Sequence, residues 1–366
     1  MTPSIPDTQL EQFINDSGWE PKRLGRKQSL IPGSYLQEAV QVYESMNELD
    51  DLVTEDNLVI ASTDCEGAAK SSDIYADDNL MYSLFLNILG NRKDSLKTMD
   101  AINNHLLKAP NILAKNSFHP PSFSSGDNAL LGILYEELDE GDKAIQLYET
   151  IHNIGFVRDD NLVVAHKVYR DEVNEGSVFS LNNCLWGLFL NRLGKEDEAL
   201  KVLRSMEDVG IVQDDGTLNL FANNEGKWSG NIVSTDINGV YGMFLKALGK
   251  EERVKQLTIS MKDLGLIKKG GDVKGMYSVE DGPRGNYPHP KHNIYYGLFL
   301  QSIGDDDGWK DIYSALKGRD ELWREDGLIM ESLEGMGRQG DISSCTNCLY
   351  GLFLLKGYHV FTGDIR

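Results

Sequence analysis

The hydrophobic positions of this chain fall into blocks that recur. The blocks are DNLMYSLFLNILG (78–90), DNALLGILYEELD (127–139), NNCLWGLFLNRLG (182–194), INGVYGMFLKALG (237–249), HNIYYGLFLQSIG (292–304) and TNCLYGLFLLKGY (346–358). Each holds one asparagine in register: Asn79, Asn128, Asn183, Asn238, Asn293 and Asn347, spaced 49, 55, 55, 55 and 54 residues apart. A period this regular is the mark of a repeat architecture. Counting from the asparagine as zero, positions 0, +3, +7 and +10 share one helical face, and +5 and +6 are apolar in every copy. A helix apolar on nearly all sides is buried on nearly all sides. Position +4 is Ser83 and then Gly132, Gly187, Gly242, Gly297 and Gly351. Glycine there costs about 1 kcal/mol of helix propensity, which close approach of a neighbouring helix would offset.

Each of the first five blocks is followed by a one-sided helix. Ala199, Leu200, Leu203, Met206 and Val209 form one apolar stripe, and Ala144, Ile145, Tyr148 and Ile151 another, with Lys, Glu and Asp on the other faces. Gly90, Gly194, Gly249 and Gly304 end four inner helices, and Gly155, Gly210 and Gly265 end outer ones. The unit is a hairpin of one buried and one half-exposed helix. The sixth buried helix, 346–356, lacks an outer partner, while the segment 34–49 is an outer-type helix without an inner one. Joining them gives six inner and six outer helices in a closed ring, since an open solenoid needs polar caps. The expected organisation is an N-terminal arm, 1–33, and one all-α (α/α)6 toroid over 34–366. Phrases such as EDNLVIAS (55–62), DDNLVVAH (159–166), DDGTLNLF (214–221) and EDGLIMES (325–332) predict short β-like insertions on one face. The six inner-helix N-termini would open onto that face, where unpaired N–H groups favour hydroxyls, carboxylates or an anionic ligand.

Composition narrows the partners. Net charge is −21 with a pI near 4.7, which argues against nucleic acid and anionic membranes. No apolar run is long enough for a transmembrane helix and the N-terminus does not read as a secretory signal, so a cytoplasmic location is expected. Four cysteines in 366 residues make no disulfide framework. The basic run KRLGRK (22–27) in the arm either touches an anion or packs on the acidic body.

An alternating ring of six hairpins with long loops on one side resembles the six-hairpin (α/α)6 toroids, over roughly residues 34–358. That superfamily includes many glycoside hydrolases, sugar epimerases and some polysaccharide lyases, so the resemblance implies a carbohydrate-active enzyme, glycoside hydrolase-like, with a small-molecule or oligosaccharide ligand. The alternatives are a non-catalytic glycan- or peptide-binding toroid and a terpenoid cyclase or prenyltransferase-type toroid. The sequence has no DxDD-type acid motif, no DDxxD and no zinc triad, and neither cofactor nor metal is expected.

Candidate chemistry sits just before each asparagine: Asp78, Asp127, Asn182, Ile237, His292 and Thr346, with Asp236 one step earlier in the fourth copy. This position varies over a fixed scaffold, as a ligand-specific surface does. A glycosidase needs two carboxyl groups, and Asp78 and Asp127, on adjacent inner helices, are the candidate acid/base pair. Capping of the helix N-terminus is the competing role for each. The six asparagines suit a structural role, hydrogen-bonded to neighbouring backbone. Trp228, His292, Asp236, Glu331, Arg338 and Tyr295 are candidate substrate-binding residues, with His166 and His289 also in the loops; Trp186 at +3 reads as core. Cys345 and Cys348 open the last inner helix, where the helix N-terminus lowers a thiol pKa, so redox or metal chemistry is conceivable.

Overall fold

The computed structural model describes residues 33–49, 51–64, 68–69, 73–108, 111–116, 122–168, 177–222, 232–268, 271, 273, 276–278, 282–284, 289–333 and 338–363. The elements run α1 (Gly33–Glu48), β1 (Ser62–Thr63), α2 (Ala76–Leu89), α3 (Arg92–His105), β2 (Leu107–Lys108), β3 (Ile112–Leu113), β4 (Ser122–Ser124), α4 (Ser125–Glu137), α5 (Gly141–Asn153), β5 (His166–Val168), β6 (Val178–Phe179), α6 (Ser180–Arg192), α7 (Glu196–Asp208), β7 (Phe221–Ala222), β8 (Ile232–Ser234), α8 (Thr235–Ala247), α9 (Glu251–Asp263), β9 (Met276–Ser278), β10 (Gly282–Arg284), α10 (Pro290–Ser302), α11 (Asp306–Lys317), β11 (Met330–Leu333), β12 (Arg338–Ser343), α12 (Ser344–Leu354) and α13 (His359–Thr362). The even-numbered helices from α2 to α12 are the recurrent apolar blocks, and the odd-numbered ones from α1 to α11 are one-sided. The expected arm, 1–33, lies outside the described residues except for Gly33.

The helices group into two compact units. One draws on Met1–His105 and Arg319–Gly357, the other on Leu106–Gly318 and Tyr358–Asp364. Both are built on one contact. The +6 phenylalanine of an inner helix lies on the +4 glycine of the inner helix beside it: Phe85 on Gly351 in the first unit, and Phe189 on Gly132, Phe244 on Gly187 and Phe299 on Gly242 in the second. A β-carbon on those glycines would sit 2.2–2.4 Å from the ring. All four rings are fully buried. Burying a phenylalanine contributes about 1.5–3 kcal/mol, more than the propensity lost at glycine. In α2, where Ser83 replaces the glycine, its hydroxyl is 2.9 Å from that of Ser95 on α3.

The zero-position asparagines form a second repeated device. Each accepts a backbone N–H and donates to the carbonyl of that same residue in the preceding loop, and donates again to the carbonyl four residues before itself. Asn183 accepts from the Val163 N–H at 2.8 Å and donates to the Val163 and Phe179 carbonyls at 3.2 and 2.9 Å. Asn79 does this with Val59 and Tyr75, Asn128 with Leu113 and Ser124, Asn238 with Leu218 and Ser234, Asn293 with Val273 and His289, and Asn347 with Ile329 and Ser343. The clamp satisfies backbone groups in an irregular loop that would otherwise be buried unpaired.

The clamped segment closes a tight antiparallel turn bridged at Val53–Val59, Val157–Val163, Val212–Leu218, Ile267–Val273 and Trp323–Ile329. Each turn carries one residue at positive φ: Asn57 at 63°, Asn161 at 67°, Gly216 at 83°, Gly271 at 93° and Gly327 at 92°. That left-handed conformation explains the recurring DN and DG pairs. Three turns dock on the outer helix of their own hairpin. Asn57 donates to Thr98 Oγ1 on α3 at 2.6 Å, Gln256 on α9 donates to the Asp214 carbonyl at 3.1 Å, and Gln41 on α1 donates to the Asp326 carbonyl at 3.0 Å. The N-terminal helix α1 thus stands to α12 as α9 stands to α8, and the Tyr350 hydroxyl of α12 bonds the Glu38 carboxylate of α1.

Beyond the turn, four loops pair with the strand entering the previous inner helix: β5 with β4, β7 with β6, β9 with β8, and β1 with β12, all antiparallel. The last pairing joins the sixth repeat to the first by the rule that joins the others. The predicted β-like insertions are therefore present.

The outer-helix stripes differ in part from the pattern read in the sequence. On α7 the buried residues are Ala199, Val202, Leu203 and Met206; on α5 they are Ala144, Leu147 and Ile151, while Ile145 is 49% exposed. The buried seam follows i, i+3, i+7 and passes beside Ile145. In the second unit, α13 packs against the C-terminal parts of the inner helices. Arg192 at the end of α6 donates to the His359 and Val360 carbonyls at 3.2 and 2.9 Å and pairs with Glu137 of α4 at 2.5 Å.

Asn183→Ala should lower unfolding free energy by about 2–4 kcal/mol, since it strands the Val163 N–H and carbonyl in the interior. A denaturant midpoint matching the parent would show that the clamp contributes nothing. Gly187→Ala should destabilise by about 1–3 kcal/mol despite the better helix former. Adding Phe244→Leu should restore part of that loss, and a stabilised single variant would refute the ring-on-glycine packing.

Candidate functional site

The residue before each clamp lies at an inner-helix N-terminus, which places polar side chains at one end of each unit's inner helices. In the first unit, Asp78 is only 7% exposed in the first turn of α2, beside the half-exposed Asp77. On α12, Ser343 caps the helix by accepting the Thr346 N–H at 3.3 Å, and the Thr346 hydroxyl donates to Glu331 of β11 at 2.6 Å. Glu331 is thus held at this helix end. Cys345 and Cys348 are buried, as is Cys184. Burial pushes the Cys348 thiol well above its ordinary range, with Cys345 and Asp78 adding to the shift. At Cys348, then, desolvation outweighs the thiol activation that a helix N-terminus favours.

In the second unit, Asp127 forms half of a capping arrangement. Ser124 accepts the Asp127 N–H at 3.2 Å and donates to its carboxylate at 3.0 Å. The capping role is therefore real, and it also fixes the carboxyl at the end of α4. Ser124 is the β-register partner of His166, whose ring is shifted down by burial and then by Lys115. Asn182 of α6 donates to Ser125 Oγ at 3.0 Å and the Ala165 carbonyl at 3.2 Å, tying α6 to α4.

The most developed constellation joins α8 and α10. His292 Nδ1 is 3.1 Å from Asp236 Oδ1 and 3.3 Å from the Asp236 backbone nitrogen. The Ser234 hydroxyl donates to the same carboxylate, and the Ile237 N–H approaches it at 2.9 Å. His289 stands edge-on to the His292 ring at a centroid distance of 5.0 Å. Burial alone would raise the Asp236 pKa, but the His292 ring, the hydrogen bonds from His292 and Ser234, and the Lys291 charge together hold it well below the carboxylate range. The side chains of His292 and Asp236 keep 10% and 20% of their exposure. One turn deeper, a β-carbon on Gly239 would lie 2.9 Å from the Tyr295 backbone, so the two helices nearly touch. Tyr295 itself is 6% exposed and belongs to that packed seam.

Of the sequence candidates, the structure brings Asp236 and His292 together and places Glu331 against Thr346. Asp78 and Asp127 lie in different units. Trp228 and the Arg338 side chain lie outside the described residues. The serine caps went unread, although Ser124-x-x-Asp127 is a capping signature visible in the sequence. The His292–Asp236 contact had no such signal, because it spans 56 residues. Among the described residues no cluster of three or more His, Cys, Asp or Glu is arranged to hold a metal ion, and no helix is long and apolar enough to cross a membrane.

In a Cys65→Ser variant, leaving only the three described cysteines, no thiol should react with an aromatic disulfide at pH 8 until denaturant is added. Rapid titration of one or more thiols in the folded protein would contradict their burial.

No family model matches the sequence, and no curated protein matches it. Solved structures do. A cellobiose 2-epimerase from Bacillus thermoamylovorans superposes with a TM-score of 0.72 at 12% identity, covering 90% of this chain and 100% of the other. A D-mannose isomerase gives 0.71 at 8% identity, covering 89% and 97%. A family 76 glycoside hydrolase from a bovine Bacteroides thetaiotaomicron strain gives 0.67 at 12% identity, covering 88% and 77%. With six buried helices alternating with six one-sided ones and this likeness along most of its length, the chain has the all-α (α/α)6 toroid fold.

Proposed function

We propose that the protein is a carbohydrate-active enzyme of the glycoside hydrolase type, working at the N-terminal ends of its inner helices. The observation that supports this is the contrast between the uniform asparagine clamp and the residue just before it, which is a carboxylate, amide, imidazole or hydroxyl in five copies and, in the fourth, Ile237 preceded by Asp236. Asp127 is the candidate carboxyl group in the second unit and Asp78 in the first. Each is a carboxyl group at an inner-helix end, of the kind that acts as acid, base or nucleophile in such enzymes. Asn182, Asp236, His292 and Glu331 would contact sugar hydroxyls, and Trp228 and Arg338 remain candidates for the same role. The fold neighbours act on sugars by their printed names, which favours a sugar ligand over an isoprenoid. Four cysteines in 366 residues make no disulfide framework, which fits a cytoplasmic setting.

A second reading, a sugar epimerase or isomerase, is favoured by the His292–Asp236 pair. An imidazole backed by a carboxylate is suited to removing a proton next to a carbonyl.

A panel of neutral and uronate-containing oligosaccharides, with mannose and cellobiose added, separates the two. New reducing ends that vanish in Asp78→Asn and Asp127→Asn are expected for the hydrolase. A ketose or 2-epimer formed without bond cleavage, and lost in His292→Asn, would select the second reading. No turnover and no thermal shift across the panel would refute both.

A further inference from the structure

We propose that Asp236 is a positioning residue that fixes the tautomer of His292 and so makes Nε2 of that ring the atom that accepts and returns a proton. This rests on the second reading above, the sugar epimerase or isomerase. The geometry offers Nδ1 two incompatible bonds: it can accept the Asp236 backbone N–H at 3.3 Å or donate to the Asp236 carboxylate at 3.1 Å. A neutral hydrogen bond is worth about 0.5–1.5 kcal/mol net, and one to a charged group about 1.5–3. The carboxylate also accepts from Ser234 and lies near Lys291, so it stays ionised. The shorter, charge-assisted bond wins, and Nδ1 carries the hydrogen.

Nε2 then presents its lone pair, and among the described residues it makes no hydrogen bond. The groups around the ring are Asp236 and Ser234 from the α8 side, and His289 and Lys291 from the α10 side. In use, a substrate proton moves to Nε2 and its bonding electron pair stays on the substrate. The imidazolium so formed is paired with the Asp236 carboxylate, and return of the proton restores the neutral ring. The near contact of Gly239 with the Tyr295 backbone sets the spacing that the pair needs.

The test is the protonation state of the ring nitrogens, read by long-range proton–nitrogen NMR on the full chain at a pH where the ring is neutral. His292→Asn identifies the resonances. The wild-type spectrum should show a protonated Nδ1 and a bare Nε2, and Asp236→Asn should move the population toward the Nε2–H form. Asp236→Glu should move it back at least in part. A wild-type Nε2–H majority overturns the proposal without any variant having to fold, and so does an unchanged tautomer in a folded Asp236→Asn protein. This readout needs no substrate, so a silent sugar panel with the expected tautomer would sink the enzyme reading alone. If turnover is found, Asp236→Asn should lower kcat by about 10²-fold or more with a much smaller change in KM. Equal losses in a variant whose tautomer is unmoved would mark Asp236 as merely structural.

Discussion

Laying a phenyl ring on a bare helix backbone is the constraint from which the rest follows. A glycine in mid-helix is a weak point in isolation, and a phenylalanine with nowhere to lie is no better. Together they set the distance between adjacent inner helices in each unit. Phe189, Phe244 and Phe299 each cover the glycine of the helix before, so Gly132, Gly187 and Gly242 become the places where three helix pairs come together. The one-sided outer helices need only bury a narrow seam against this core, which explains why their apolar stripes are shorter and why Ile145 can face solvent.

The asparagine clamp converts that rigid core into a support for loops. It consumes the backbone polar groups of each irregular segment, so the loop needs no regular sheet to be buried. The side chain one step earlier is not needed for the clamp, so an aspartate, an asparagine, a histidine or a threonine can stand there above the same helix. The Asp236–His292 pair shows what this allows: two titratable groups from separate hairpins are brought to 3.1 Å by backbone contact one turn deeper.

Much of this was legible from residue order. The repeat period, the inner and outer helices, the pairing of the N-terminal helix with α12 and the turn phrases all rest on local patterns of three to twelve residues, and such patterns survive folding. The site was less legible because its contacts are long-range. Nothing near Asp236 announces His292, and nothing in Cys345-Thr-Asn-Cys348 announces that burial would override the helix end. Ser124 and Asp127, by contrast, form a local motif, and a cap of that kind is legible in the sequence.

The division of the chain into its two units also bears on biosynthesis. The unit containing α2 and α3 is finished by α12, more than 200 residues later, and the unit begun by α4 is finished by α13 with Arg192 gripping its carbonyls. Neither unit is closed until its last helix, α12 or α13, has been made. Inner helices apolar on every side must wait in the meantime, and apolar surface left exposed in this way is prone to aggregate.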